Sequence, residues 1–116
     1  MTAGIPVASV GPSVASIYGA KLKLSGAVCL AISQSGRSPD IVAMSDLARA
    51  GGALTVALTN TPGSPLATGA DFSVDIRAGV ERSVAATKTF VNSALAGLAP
   101  MAHCTEDAGL MDALQR

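Results

Sequence analysis

The amino-acid sequence predicts an α/β domain built on a parallel sheet, and three observations support this fold class. Two unbroken apolar runs, 27–32 and 53–58, have the composition of strands that are buried on both faces. Each run is followed by a Ser-Pro pair, at 38–39 and 64–65, which suits the start of a helix. Strands that alternate with helices in this way pair in parallel through right-handed crossovers.

Weaker patterns predict the remaining elements. In chain order they are a strand at 5–10, a short helix at 13–20, a helix from 39 to the glycine pair at 51–52, a short helix at 65–70, an alternating strand near the sheet edge at 72–76 and a long helix at 84–98. The last helix is expected to end or bend at Pro100, because proline cannot continue the helical hydrogen bonding.

Composition limits the classes of function. The 116 residues suffice for one domain, and 49% apolar with 3% aromatic residues predicts a core of small aliphatic side chains. Eight basic and eight acidic residues balance without a Lys/Arg cluster, so we expect no nucleic-acid and no membrane partner. No apolar run reaches the roughly 18 residues of a membrane span, and no signal-peptide pattern is present. The spacing of Cys29 and Cys104 suits no metal site, so we interpret both as reduced thiols of a cytoplasmic protein. Cys29 is expected to be a small core residue.

The most informative stretch is 33–38, Ser-Gln-Ser-Gly-Arg-Ser, which joins the first apolar run to the helix at 39. Such a junction lies at the carboxyl edge of a parallel sheet, where open α/β sheets bind ligands. Backbone N–H groups and the positive end of a helix dipole favour an anion there, most often a phosphate. From these residues alone, a capped turn without a ligand explains the pattern equally well.

Two segments together resemble a known family. Residues 33–38 resemble the phosphate loop of the SIS (sugar isomerase) domain, S-Q-S-G-x-[ST], and residues 78–90, AGVERSVAATKTF, resemble its second signature, A-G-P-E-x-x-V-A-[AS]-T-K-x-F. The βαβαβ spacing between the two segments also matches, which makes the resemblance specific. It covers nearly the whole chain and is closest to the first SIS domain of glutamine–fructose-6-phosphate aminotransferase and of isomerase-type glucosamine-6-phosphate deaminases.

The resemblance implies a set of binding residues. The phosphate is expected to be bound by Ser33, Gln34, Ser35 and Ser38, and the sugar to be contacted around Val84 and Ala86. Ala86 replaces a serine of the aminotransferase subgroup, so one hydroxyl contact is missing, and Val80 replaces the proline of the second signature, which loosens a rigid turn. With the second signature present, we favour phosphate binding over a turn without a ligand.

Three further residues have a catalytic and a structural interpretation each. Glu81 is either a general base for proton transfer between C1 and C2 of an open-chain sugar or, as we favour, a carboxylate that caps the following helix. Lys88 is either a Schiff-base or phosphate lysine or, as we favour, a helix residue with a structural or interface role. For the lone His103 we expect a surface role rather than catalysis.

The resemblance also implies that parts of the family domain are missing. That domain begins with a strand, a G-x-G-S-S-like turn and a helix, and in its strand order 2-1-3-4-5 the first strand lies inside the sheet. We therefore predict an incomplete three-layer α/β/α sheet of this flavodoxin-like order, lacking the first strand and helix. Residues 1–99 are expected to form a partial SIS domain, and 100–116 a helical tail or linker toward an absent second SIS domain. Apolar side chains beside the missing strand are expected to be uncovered, unless neighbouring strands close up or a partner chain fills the gap.

The predicted function is binding of a phosphorylated amino sugar, of the glucosamine 6-phosphate or fructose 6-phosphate class, within an aldose–ketose isomerase or deaminase. By the resemblance, such an enzyme needs no metal and no other cofactor, forms a homodimer and draws most of its acid–base residues from its second SIS domain. No catalytic residue is therefore assigned, and we expect no turnover from this chain alone. Two alternatives stay open: a non-catalytic sugar-phosphate sensor module, and a degenerate fragment that binds nothing.

Overall fold

A computed structural model describes residues 4, 6–16, 19, 21–80, 88, 91–97, 109 and 112 of the chain. Its helices and strands follow in the order α1 (Ser13–Ser16), β1 (Val28–Ile32), α2 (Pro39–Ala50), β2 (Leu54–Thr59), α3 (Pro65–Gly69) and β3 (Phe72–Asp75). Residues 91–97 are also helical. Within the described ranges, no helix combines the length and the apolar character that crossing a membrane requires.

The three strands form one parallel sheet in the order β1-β2-β3, which confirms the predicted fold class. Val28 pairs with Leu54 and Val56 pairs with Phe72, so neighbouring strands are in register over most of their length. In the order implied by the resemblance, these are the third, fourth and fifth strands. Parallel strands in this register end at one common edge, and the loops that follow them meet there.

Helices α2 and α3 cover one face of the sheet. The paired residues Ala31 and Ala57 lie on this face and form a buried cluster with Leu66 of α3. Ile41 and Val42 of α2 pack against the same cluster. Alanine on the sheet leaves room for the larger side chains of the helices, and the resulting core is aliphatic, as the composition predicts.

The opposite face of the sheet is apolar but largely uncovered. Val28, Leu30 and Ile32 of β1 alternate onto it and are 66%, 47% and 47% exposed, and Phe72 of β3 is 60% exposed. Leu58, which pairs with Ile32, is fully buried. Within the described residues β1 pairs with β2 alone and forms an edge of the sheet, and its uncovered apolar side chains agree with the expectation of exposed apolar surface at this edge.

The prediction of a strand at 5–10 is wrong for residues 6–10, the part of that segment that the structure describes. Residues 6–10 have irregular backbone, and Val7 is 91% exposed. An apolar segment becomes a stable strand only where a neighbour completes its hydrogen bonds, and none of the described strands pairs with this one.

Two predicted helices are observed in part. Of the helix predicted at 13–20, Ser13–Ser16 are helical, whereas Gly19 is not. Of the helix predicted at 84–98, Lys88 and 91–97 are helical. The other residues of the two segments lie outside the described residues.

At the amino end of the strands, Asp71 connects β2, α2 and the segment between α3 and β3. Its Oδ2 accepts hydrogen bonds from the N–H and the hydroxyl of Thr55, both at 2.8 Å, and its own N–H donates to the Thr55 hydroxyl oxygen at 3.0 Å. Arg49 Nε lies 3.2 Å from Asp71 Oδ1, and the same guanidinium donates to the Gly69 carbonyl at 3.1 Å. The hydrogen bonds from Thr55, followed by the charge of Arg49, lower the pKa of the Asp71 carboxyl below its ordinary value of 3.8.

The unequal burial on the apolar face predicts unequal effects of the same substitution. We predict that Leu58→Ala lowers the free energy of unfolding by about 3 kcal/mol, because truncating a fully buried leucine leaves a cavity. Leu30→Ala, at 47% exposure on the same face, is predicted to cost about 1 kcal/mol or less. Urea unfolding followed by circular dichroism measures both losses, and equal losses would contradict the prediction.

The Asp71 contacts predict a dependence of stability on pH. Because the pKa of this carboxyl is lowered in the folded chain, its stabilising effect is complete above pH 3.8 and is lost as the pH falls through the lower folded value. We predict that Asp71→Asn lowers the melting temperature near neutral pH, and that the gap to the wild-type chain narrows in acid. Melting curves across this range test it, with Asp46→Asn, an exposed carboxylate of α2, as the control. A gap that stays constant into strong acid would count against the prediction.

Candidate functional site

Three loops meet at the carboxyl edge of the sheet. We define them as the first loop (33–38, after β1), the second loop (60–64, after β2) and the third loop (76–80, after β3). Two backbone hydrogen bonds continue the sheet into the loops: Ser33 N–H donates to the Leu58 carbonyl, and Ile76 N–H donates to the Thr59 carbonyl, both at 3.0 Å. The register of the strands therefore fixes where the first and third loops begin.

The carbonyl oxygen of Gln34 joins the first loop to the second. It accepts hydrogen bonds from the Asn60 N–H at 3.0 Å, the Thr59 hydroxyl at 3.1 Å and the Thr61 hydroxyl at 3.4 Å. Thr59 is buried, and its hydroxyl oxygen also accepts from the Thr61 N–H at 3.2 Å. Three donors to one carbonyl hold the first loop against the end of β2.

Gly36 is the point where the first loop packs most closely on its neighbours. Its φ of +61° is a left-handed conformation that favours glycine, and its carbonyl accepts a hydrogen bond from the Leu66 N–H at 3.0 Å. A Cβ on Gly36 would overlap the hydroxyl oxygen of Ser64 and would lie 2.7 Å from Ser64 Cβ and 2.9 Å from Thr59 Oγ1. The glycine in this motif is therefore required by the packing of the first loop on the start of α3.

Two serines of the first loop shape its backbone with their side-chain oxygens. The hydroxyl oxygen of buried Ser33 accepts from the Gly36 N–H, and that of exposed Ser35 accepts from the Arg37 N–H, both at 3.2 Å. A hydroxyl that accepts through its oxygen still carries one O–H donor. The two side chains can therefore support the turn and donate to an anion at the same time.

The two helices next to the site begin with the same Ser-Pro pair, yet their serines differ. Ser64 is fully buried at the N-cap of α3, and its hydroxyl accepts a hydrogen bond from the Ala67 N–H at 3.4 Å. Ser38 holds the same position on the 12-residue α2, and its side chain makes no cap hydrogen bond. The Ser38 hydroxyl and the first N–H groups of α2 therefore remain available to another acceptor.

The structure brings the predicted phosphate-binding residues together. Ser33, Gln34, Ser35 and Ser38 all lie on the first loop, at the junction of β1 and α2. Ser33 is buried, Gln34 and Ser38 are half-buried, and Ser35 is exposed, so the four side chains extend from the core to the surface. Their location is as predicted, and their roles as ligands stay predictions.

The second loop was not among the predicted site residues. Its sequence from Thr59 to Gly63 predicts only a turn, because threonine, asparagine, proline and glycine are all frequent in turns. A usable signal is nevertheless present: the segment follows a strand next to β1 in a parallel sheet, so its polar residues must share the edge with the first loop. Asn60 and Thr61 are the residues that this reasoning adds to the site.

Asn60 joins the second loop to the third. Its side-chain Oδ1 accepts a hydrogen bond from the Ala78 N–H at 2.8 Å, and its Nδ2 donates to the Gly79 carbonyl at 2.7 Å. Between β3 and this contact, Arg77 turns the chain with a φ of +53°, and its N–H donates to Asp75 Oδ1 at 2.9 Å. Ala78 and Gly79 are the first two residues of the second predicted motif.

Other predicted residues are not placed in the site. Glu81, Val84, Ala86, His103 and Cys104 lie outside the described residues. Lys88 is helical and exposed. Cys29 is half-buried, and burial raises the pKa of its thiol, which agrees with an unreactive packing role. Among the described residues, no group of three or more His, Cys, Asp and Glu side chains could hold a metal ion.

Comparison with known protein families identifies a match over most of the chain. The family model for the SIS domain matches residues 5–101. Glutamine–fructose-6-phosphate aminotransferase of Helicobacter pylori is 49% identical over 61 residues, which are 53% of this chain and 10% of that protein. The same enzyme of Sulfurisphaera tokodaii is 40% identical over 79 residues, which are 68% of this chain and 13% of that protein.

A solved structure is similar over nearly the whole chain. It is a crystal structure of a protein described as a phosphosugar isomerase from Silicibacter pomeroyi, with 62% sequence identity and a TM-score of 0.92. The match covers 97% of this chain and 34% of that chain. The present chain therefore spans about a third of that relative and 10% to 13% of the two aminotransferases.

The close packing at Gly36 predicts a strong effect of adding one methyl group. We predict that Gly36→Ala destabilises the chain by more than the ~1–2 kcal/mol that a left-handed backbone alone costs an L-residue, because the new Cβ also overlaps Ser64. Gly63→Ala is the matched control, since Gly63 has a φ of +79° and no atom within 4 Å of its added Cβ. Urea unfolding of both variants isolates the overlap as the difference between them. Similar losses would show that the first loop can move away from α3.

Proposed function

The chain belongs to the SIS-domain family, and we propose that it binds a phosphorylated sugar of amino-sugar metabolism, with the phosphate held by the first loop. In this proposal the chain contributes the phosphate anchor of an aldose–ketose isomerase or deaminase. The names of its relatives support the ligand class: the aminotransferases act with fructose 6-phosphate, and the solved structure is described as a phosphosugar isomerase. Glucosamine 6-phosphate is the second candidate ligand.

The observation that carries the proposal is the unused cap of α2. Ser38 occupies the N-cap position without capping its helix, whereas Ser64, which is also followed by a proline, caps α3. An anion at the start of α2 would accept hydrogen bonds from the Ser38 hydroxyl and from the first N–H groups, and the helix dipole would favour its negative charge. The hydroxyl donors of Ser33 and Ser35 lie on the same loop and can add to this set.

This mode of binding uses neutral donors. Hydrogen bonds to a charged acceptor are stronger than those between neutral groups, so several hydroxyl and amide donors can hold a phosphate without a buried cation. The Gln34 side chain, which is half-buried beside these serines, is proposed as a further donor. Val84 and Ala86 remain the proposed sugar contacts, and the acid–base residues of the reaction remain unassigned.

Ser38→Ala tests the proposal. We predict that it weakens fructose 6-phosphate binding about tenfold, the effect of losing one hydrogen bond to a charged group. The melting temperature without ligand should stay close to that of the wild-type chain, because the Ser38 hydroxyl makes no cap hydrogen bond. Isothermal titration calorimetry measures the affinity, and unphosphorylated fructose shows whether the phosphate is required.

Two serine variants serve as controls. Ser25→Ala changes an exposed hydroxyl in the turn before β1, at the other end of the sheet, and should leave both affinity and stability unchanged. Ser64→Ala removes a cap hydrogen bond and should destabilise the chain by about 1 kcal/mol. Wild-type affinity in Ser38→Ala, or no binding of fructose 6-phosphate or glucosamine 6-phosphate by the wild-type chain, would overturn the proposal.

A further inference from the structure

Asn60 makes hydrogen bonds to two different loops of the site. Its backbone N–H donates to the Gln34 carbonyl of the first loop at 3.0 Å. Its side-chain amide makes two hydrogen bonds to the third loop, accepting from the Ala78 N–H at 2.8 Å and donating to the Gly79 carbonyl at 2.7 Å. One half-buried residue thus connects the two segments that carry the predicted motifs.

The side-chain amide of Asn60 takes the place of a strand neighbour for the third loop. Regular pairing to β2 ends where the Ile76 N–H donates to the Thr59 carbonyl, and Arg77 then turns the chain with its φ of +53°. Beyond that turn, the amide offers one acceptor and one donor side by side, as a peptide group of a strand would. Two hydrogen bonds from one planar group fix both the distance and the orientation of residues 78 and 79.

We infer that Asn60 is a positioning residue that sets the third loop at a fixed distance from the phosphate-binding first loop, and so favours a sugar phosphate over phosphate alone. The inference rests on the proposed function. Inorganic phosphate needs only the first loop and the start of α2. A hexose 6-phosphate extends beyond its phosphate, so its sugar part depends on the placement of the neighbouring loops. Asn60 holds the third loop at that place through Ala78 and Gly79 without itself being required for the phosphate.

The test compares two ligands in variants of one residue. Asn60→Ala removes both hydrogen bonds to the third loop. Asn60→Asp keeps the size of the side chain and the acceptor for the Ala78 N–H, but sets a carboxylate oxygen against the Gly79 carbonyl. We expect both variants to bind fructose 6-phosphate about tenfold more weakly, within the range typical of coupling between two sites, and to bind inorganic phosphate as the wild-type chain does. Isothermal titration calorimetry gives the six affinities of the wild-type chain and the two variants.

The chain offers a matched control and a readout that needs no ligand. Ser25→Ala, which changes an exposed hydroxyl at the other end of the sheet, is that control and should leave both affinities unchanged. Hydrogen exchange measured by NMR should show faster exchange of the Ala78 N–H in Asn60→Ala but not in Asn60→Asp. If Asn60→Ala does not fold, Asn60→Asp gives the decisive affinities.

Four results would overturn the inference. Unchanged fructose 6-phosphate affinity in Asn60→Asp would show that the third loop does not contribute to the sugar part of the site. A parallel loss for both ligands would show that Asn60 only supports the first loop. If the wild-type chain binds no sugar phosphate more tightly than inorganic phosphate, there is no selectivity for Asn60 to explain. If the wild-type chain binds neither ligand, the proposed function fails, and this inference fails with it.

Discussion

The carbonyl oxygen of Gln34 is the contact on which the rest of the site depends. It can accept from Thr59, Asn60 and Thr61 only because β1 and β2 end together, with Ile32 paired to Leu58. Once this carbonyl is held, the chain must turn back toward α2 within four residues, and Gly36 makes the turn with a positive φ. The first loop is thus placed in three steps: by the strand register, by the hydrogen bonds to the Gln34 carbonyl and by the turn at Gly36.

The two faces of the sheet have different roles in this arrangement. The alanine-rich face carries α2 and α3, and both helices begin at the edge where the loops meet, so the aliphatic core and the polar edge depend on the same packing. Asp71 and Arg49 stabilise the opposite edge with charged groups, whereas the hydrogen bonds that join the loops of the candidate site come from hydroxyl, amide and backbone groups. Val28, Leu30 and Ile32 of β1 lie on the other face, away from the helices that position the site.

Much of this fold follows from local patterns in the sequence. The runs 27–32 and 53–58 are strands to within one residue, and the helix that begins at Pro39 ends at Ala50, before the glycine pair. Local reasoning is wrong at 6–10, because a strand needs a partner that the segment itself cannot indicate. Local reasoning also omits Asn60 and Thr61, because their own sequence indicates only a turn. Their importance comes from hydrogen bonds to Gln34, which lies 26 and 27 residues earlier in the chain.

The two Ser-Pro pairs show most clearly where sequence reasoning reaches its limit. Both predict a capped helix, and the residues immediately involved are identical. Gly36 packs directly against Ser64. The Ser64 hydroxyl is buried there and accepts a hydrogen bond from the Ala67 N–H of its own helix. Ser38 follows the exposed Arg37 and is half-buried, and its side chain makes no cap hydrogen bond. Tertiary packing, rather than the serine itself, therefore decides which helix start is closed by its own side chain and which can accept an anion.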